Sequence, residues 1–316
     1  MGGAVFGRQR ELHRLVTACR QGHGAALTGG AGVGKSRLLV ELADRLRGDG
    51  WRIETVAGSH SGRSIPLGAL ARWLPSDPPG GEAFLLAHVM RAIVGELAES
   101  PADRPPRVLV IVDDANLLDD ASLVVLVELA RRHEAVVVSA MRTPNEIPPT
   151  LRQLMAMDST VRLEVGPLDA SSIERLCTDI LGGPLDAESL HAVGDLVRGN
   201  PLFVREFVAD AVDTGRLVAI DGHWTLDADV TPGMRVTELI RSRTHRLAPR
   251  QIALLEQVVV ADPIDLDFVA VATDVDGRSE AMGIIGQLEA ARLVRLDKVG
   301  ERWVVVVDHP LIGEAL

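Results

Sequence analysis

The sequence predicts a doubly wound α/β domain built on a parallel sheet, then an all-helical segment and a C-terminal winged helix. Three observations carry this expectation. Short apolar runs alternate with helix-period segments up to about residue 165. After GPLD (166–169) the strand signal stops. Towards the end, three helical segments run into a strand–turn–strand, the outline of a winged helix.

The expected strands are AALT (25–28), RIETVA (52–57), VLVIV (108–112), AVVVSA (135–140) and VRLEV (161–165). Each is short, apolar or β-branched, and bounded by Gly, Pro, Asp or charged residues, as strands buried on both faces of a parallel sheet read. Between them, KSRLLVELADRLRG sets Leu38, Leu39, Leu42 and Leu46 on one stripe, pairs Glu41 with Arg45 and stops at Gly48. Residues 170–214 read as helical, with breaks at GGP (182–184) and RGNP (198–201). LVAIDGHWTL (217–226) is a hairpin across Asp221-Gly222. From 236 three helical segments precede LVRLDKVGERWVVVV (293–307). The expected domains are therefore 1–166 (α/β), 167–216 (helical lid) and 217–316 (hairpin plus winged helix). HPLIGEAL begins a helix without a stop signal, so the chain is expected to be a piece of a longer protein.

Bulk composition narrows the class. Hydrophobic residues make up 47% and charged residues 24% of 316, and the longest apolar runs fall far short of a membrane span. MGGAVFGRQRE lacks the features of a secretory signal. Cys19 and Cys177 stand alone in helical segments, which favours reduced buried thiols over a disulfide or zinc site. A cytoplasmic location without a membrane partner is expected. The formal charge of −11 argues against broad attraction to a polyanion, though not against a local basic groove.

One stretch carries the chemistry. Gly29, Gly30, Ala31, Gly32, Val33, Gly34, Lys35 and Ser36 match G-x-x-x-x-G-K-[ST] between an expected strand and an expected helix. Glycines let the backbone wrap so that successive N–H groups point at a phosphate, and the helix N-terminus adds its partial positive charge. Lys35 is expected to reach the β- and γ-phosphates, and Ser36 to offer its hydroxyl to Mg²⁺. Arg37 follows in the helix and completes the expected phosphate-side set. A glycine-rich turn with no ligand is the plain alternative, and the complete motif in context speaks against it.

VLVIVDDANLLDD supplies the second half. Asp113 closes a buried strand and is expected in the Mg²⁺ shell; Asp114 is then the candidate to orient or deprotonate a water. AVVVSAMR ends a further strand, with Ser139 or Arg142 expected near the γ-phosphate. The α/β domain thus reads as a P-loop NTPase sheet of the AAA+ (ASCE) kind.

With these motifs in order, the chain resembles the STAND branch of AAA+ ATPases, above all the nucleotide-binding region of large LuxR-type (LAL) bacterial transcription regulators. The resemblance rests on VFGRQRELHRL, the phosphate loop, SIPLGAL (64–70), VIVDDANLLDDAS, the strand with Arg142, RGNPLFVREFV and DHPLIGEAL. It implies ATP or ADP with Mg²⁺. It implies that Val5, Phe6, Gly7 and Arg8 pack near the adenine, although a simple helix cap would explain them too. It implies that Pro201 lies against the base and that His309 touches the phosphates, where a break before a helix and an ordinary histidine are the plain readings. Two departures stand out: Asn116 replaces the common histidine, and Asp114 is one methylene shorter than the glutamate of motor-type relatives.

The function so implied is a regulatory switch. ATP and ADP would favour different conformers, slow hydrolysis would time the change, and the ATP state would self-associate. DNA contact would come through a helix-turn-helix that this sequence does not contain. The alternative is an origin-recognition or clamp-loader-like AAA+ ATPase binding DNA through its winged helix, for which RSEAMGIIGQLEAAR and Lys298 with Glu301 make a poor electrostatic footprint. A phosphotransferase lacks an evident acceptor site.

Overall fold

VLVIVD illustrates how the sheet is built. In β3 (Val108–Asp113) the first five residues are buried. Val108, Val110 and Val112 join one apolar core, while Leu109 and Ile111, equally buried, belong to the opposite face. A period of two with both faces buried is what a central parallel strand requires. The computed structural model describes residues 6–59, 62–76, 81–95, 107–142, 147–226, 244, 247–261, 263–266, 268–269, 278–291, 293–299, 302–307 and 312.

Two compact units result, Met1–Gly30 with Gly34–Gly166, and Ala31–Val33 with Pro167–Leu316. In the first, β1 (Gly24–Gly29), β2 (Arg52–Ala57), β3, β4 (Val136–Arg142) and β5 (Thr160–Glu164) form one parallel sheet in the order β2-β3-β4-β1-β5. Helices α1 (Gln9–Arg20), α2 (Lys35–Gly48), α3 (Glu82–Val94), α4 (Asp120–Arg131) and α5 (Pro149–Ala156) accompany it. Leu38, Leu39, Leu42 and Leu46 of α2 are buried as the stripe predicts. The two edge strands differ from expectation. β2 and β5 are only partly buried, because an edge strand has one lateral neighbour and Arg52, Glu54, Arg162 and Glu164 alternate with apolar residues.

Aspartates start several helices. Asp119 accepts from the Ser122 amide at 2.9 Å and also from the Leu67 amide at 2.8 Å, tying the 3₁₀ turn Gly68–Trp73 to α4. Asp169 and Asp186 accept from the amides of Ser172 and Ser189, each at 2.8 Å. These side chains satisfy amides that a helix start leaves without partners.

The second unit opens with α6 (Ala170–Leu181), α7 (Ala187–Val197) and α8 (Pro201–Asp213), as expected for 170–214. Strands β6 (Leu217–Ile220) and β7 (His223–Leu226) pair across Asp221 and Gly222, both at positive φ, which a two-residue turn of this hairpin type demands. The Trp224 carbonyl accepts from Asp186 N (3.0 Å) and its amide donates to Pro184 O (2.8 Å), seating the hairpin on the α6–α7 connection. Further on, α9 (Pro249–Ala261), β8 (Ile264–Asp265), α10 (Arg278–Ala290), β9 (Val294–Val299) and β10 (Arg302–Val307) give a small antiparallel sheet, β8-β10-β9. The hairpin β9–β10 lies where the winged helix predicted it. Two-residue β8 is too short to leave a periodicity signal. The first helical segment expected after 236 and nearly all of HPLIGEAL lie outside the described residues.

Candidate functional site

The loop after β1 has the backbone that its glycines predict. Gly32 (φ 79°) and Gly34 (φ 98°) occupy the left-handed region. Gly34 is the N-cap of α2, and neither a capping side chain nor an acidic residue occupies the first turn. A glycine at the cap and a first turn without an acidic residue suit an incoming anion. Lys35 is buried, and its Nζ donates to the carbonyls of Gly29 (2.9 Å) and Gly30 (2.7 Å). Val33 is buried, Ser36 is exposed one residue into α2, and Arg37 lies 3.9 Å from Glu41 on its own helix.

The loop tip, Ala31–Val33, belongs to the second unit. Within that unit Asn200 serves twice. Its Oδ1 accepts from the Leu202 amide at 3.0 Å, capping α8, and its Nδ2 donates to the Ala31 carbonyl at 3.1 Å. At its positive φ Gly32 leaves little room for a side chain, and a methyl group there would stand 2.7 Å from Asn200 Oδ1, which would have to shift. Pro201 is the first residue of α8, where its missing N–H costs nothing.

At the C-terminal ends of the strands, β4 lies between β1 and β3, so Arg142 pairs in register with Gly29. Asp113 Oδ1 accepts from the Asp114 amide at 2.9 Å. Asp114 then turns into the left-handed region (φ 45°, ψ 47°), and its carboxylate meets Arg142, Nε to Oδ1 at 3.2 Å. Two residues expected in separate roles are thus joined as an ion pair. Of the two candidates on β4, only Arg142 reaches the strand end. Ser139 is buried in mid-strand between Ala26 and Val112, and its Oγ has no hydrogen-bond partner among the described residues. Asn116 is also buried, with Oδ1 in the same condition.

At the N-terminal segment, Arg8 is buried; its guanidinium donates to Glu11 at 3.1 Å and to the Gly166 carbonyl. Arg8 is the N-cap of α1 by position but makes no side-chain cap bond. Phe6 and Gly7 precede it in a turn, whereas Val5 and His309 lie outside the described residues. No group of three or more His, Cys, Asp and Glu residues suited to a metal occurs among the described residues. Mg²⁺ takes one or two protein oxygens and fills its octahedron with phosphate oxygens and water. Ser36 and Asp113 would supply the protein share. Sequence reasoning missed two features, the loop-tip bond of Asn200 and the packing of Gly58 on Asp114. Neither leaves a mark in the chain order, since each joins segments far apart in it.

Comparison with known proteins is consistent with this geometry. The family described as AAA ATPase domain matches residues 4–139. No curated protein matches the chain. Among solved structures, a RuvB variant of Thermotoga maritima is 12% identical, with 94% of this chain and 90% of that chain covered and a TM-score of 0.51. A second RuvB variant of that organism is 13% identical, covering 94% and 92%, also at 0.51. The Orc1 protein of Aeropyrum pernix, in complex with DNA, is 16% identical, covering 98% and 92%, at 0.49. At such identities the likeness to the RuvB structures is one of fold. No helix among the described residues is long and apolar enough to cross a membrane. The chain has the α/β P-loop AAA+ fold, with a helical lid and a small antiparallel C-terminal domain, and its residues 4–139 match the AAA ATPase domain.

Proposed function

We propose that the chain is an ATP/ADP-binding switch module of the kind used by LuxR-type regulators of the STAND branch, with slow Mg²⁺-dependent hydrolysis controlling conformation and self-association. The observation that carries this reading is the start of α2. A helix that starts at a glycine cap follows a glycine loop, and a buried lysine has its ammonium at the loop. These are the parts of a polyphosphate cradle.

In this reading Gly29 to Gly34 present amides to the phosphate tail, and Lys35 exchanges its carbonyl acceptors for phosphate oxygens. Ser36 and Asp113 hold Mg²⁺, Asp114 orients a water, and Arg142 answers to the γ-phosphate. The resemblance would assign Arg37 to the phosphate side, Val5, Phe6, Gly7, Arg8 and Pro201 to the base, and His309 to the phosphates. Bound Mg²⁺ would offset the charge of the phosphate oxygens. A switch works only if the two nucleotides bind its conformers unequally, which contacts to the γ-phosphate alone would provide.

Direct DNA binding through the C-terminal domain finds little electrostatic support. Arg250 pairs with Glu280 (2.7 Å), Arg295 with Asp297 (3.5 Å) and Arg302 with Asp265 (3.7 Å). The test is the nucleotide that co-purifies with the chain. Adenine nucleotide is expected with wild type and not with Lys35→Ala, the circular dichroism of the two being alike. Retention by the variant would count against the site, and rapid hydrolysis independent of protein concentration against the switch.

A further inference from the structure

β2 runs one residue past its ladder into an unusual approach. The Gly58 amide donates to the Asp113 carbonyl at 2.9 Å, continuing the pairing of Ala57 with Asp113. Its Cα then faces the next peptide. A methyl group on Gly58 would overlap the Asp114 carbonyl oxygen outright and come within 3.0 Å of Leu117 C and Cβ. Gly58 is not among the glycines at positive φ, so glycine is needed here for space and not for backbone freedom.

The residue it packs against has an uncommon backbone. Asp114 holds φ 45° and ψ 47°, which an L-residue keeps only when its surroundings over-determine it. Two hydrogen bonds help to do so: its amide donates to Asp113 Oδ1 (2.9 Å) and its carbonyl accepts from the Leu117 amide (2.8 Å), while Gly58 lies so near that carbonyl that a Cβ on it would overlap the oxygen. The turn sends the carboxylate to the end of β4, where Arg142 Nε lies 3.2 Å away.

We propose that Gly58 is a positioning residue for the Asp114 carboxylate, the absence of a side chain at the end of β2 being the condition for the acid to turn toward Arg142. The inference rests on the switch reading in one respect, that Asp114 serves hydrolysis. A side chain at position 58 pushes on backbone, which yields only by moving the 114–117 segment. The phosphate loop follows β1, with β3 and β4 between it and β2, so nucleotide binding is spared while the acid is displaced.

The experiment compares wild type, Gly58→Ala and, as control, Gly48→Ala, where an added Cβ meets nothing within 4 Å. Calorimetry gives the MgATP affinity, and single-turnover hydrolysis of radiolabelled ATP gives the rate. Gly58→Ala is expected to keep the wild-type affinity within about threefold and to lose about 100-fold in rate, a misplacement of ~1 Å being sufficient. Gly48→Ala is expected to match wild type in both. A wild-type rate in Gly58→Ala overturns the proposal. Loss of binding in step with rate also overturns it, since that marks a merely structural residue. A wild type that binds MgATP without turnover removes the proposal and the hydrolytic half of the switch reading but leaves nucleotide binding standing; one that binds no nucleotide removes all three. A second measurement is independent of the variant's folding. In a crystal of wild type with a non-hydrolysable MgATP analogue, Gly58 is expected to stay against the Asp114 carbonyl with Asp114 at positive φ, and their separation overturns the proposal.

Discussion

Asn200 offers a perturbation that separates two roles of one side chain. Its Oδ1 caps α8 and its Nδ2 holds the Ala31 carbonyl. Asn200→Ala deletes both, the cap contributing about 1 kcal/mol and the neutral hydrogen bond about 1 kcal/mol more. For a unit of about 150 residues each kcal/mol moves the unfolding midpoint by about 2–4 °C, so the alanine variant is expected to melt about 4–8 °C lower. Asn200→Asp keeps an acceptor for the Leu202 amide but has no donor for Ala31. It is expected to lose only the second contribution, about 1 kcal/mol or about 2–4 °C. Loosening the loop tip by that amount weakens MgADP binding by up to about fivefold. Differential scanning fluorimetry and calorimetry on the three proteins read both effects. An aspartate variant with the wild-type midpoint and affinity would mean that the bond to the loop contributes nothing. An aspartate variant as unstable as the alanine one would refute the reasoning by showing that the cap was not the half retained.

Other outcomes follow from the same structure. Burial pushes the Cys19 and Cys177 thiols up to about 12, so neither reacts with Ellman's reagent at pH 8 in the folded chain, and both react in guanidinium. Because these folded values are raised, the stability they carry is intact below the unfolded thiol value, about 8.5, and is lost as pH rises above it. Asp186 is held below its ordinary range, first by the Ser189 amide and then by the Thr225 hydroxyl. Its contribution is present above the unfolded value of about 4 and is lost as pH falls through the lower folded value. Asp186→Asn keeps a cap and is expected to flatten that acid limb, which circular dichroism against pH reads. Asp114→Glu is expected to lower stability by about 1 kcal/mol, since glutamate tolerates a left-handed backbone less well than aspartate. Its turnover is expected not to exceed wild type, and a faster variant would show that reach, not turn geometry, limits the acid.

Legibility in the sequence followed the range of the interactions involved. The phosphate loop was readable because all its parts are contiguous, from Gly29 to Ser36. The interior strands were readable because burial on both faces leaves an unbroken apolar run, as in VLVIV. RIETVA and VRLEV carried their edge positions in Arg52, Glu54, Arg162 and Glu164, which a reading weighted to apolar content passes over. The Asp-x-x-Ser starts at Asp169 and Asp186 were equally present in the letters. Other features were not. The Asp114–Arg142 pair spans two strands, and Ser139 looks like a strand-end hydroxyl until the ladder extends to Arg142 and buries it. Gly58 resembles any turn glycine until β2 is laid beside β3.

The sheet order explains why the acid needs a turn at all. With β4 between β1 and β3, the loop, the guanidinium and the two carboxylates occupy three successive strand ends. Asp113, still in the strand, stays in the ladder opposite Ala57 on β2. An extended residue after it would carry on along β3, away from Arg142. A single left-handed residue reverses that course, and aspartate is among the few L-residues whose short polar side chain tolerates it. The acid at this position is then short because the turn selects it. The shorter reach is offset by aiming the backbone, and that aim depends on Gly58 leaving the carbonyl side of the turn unfilled.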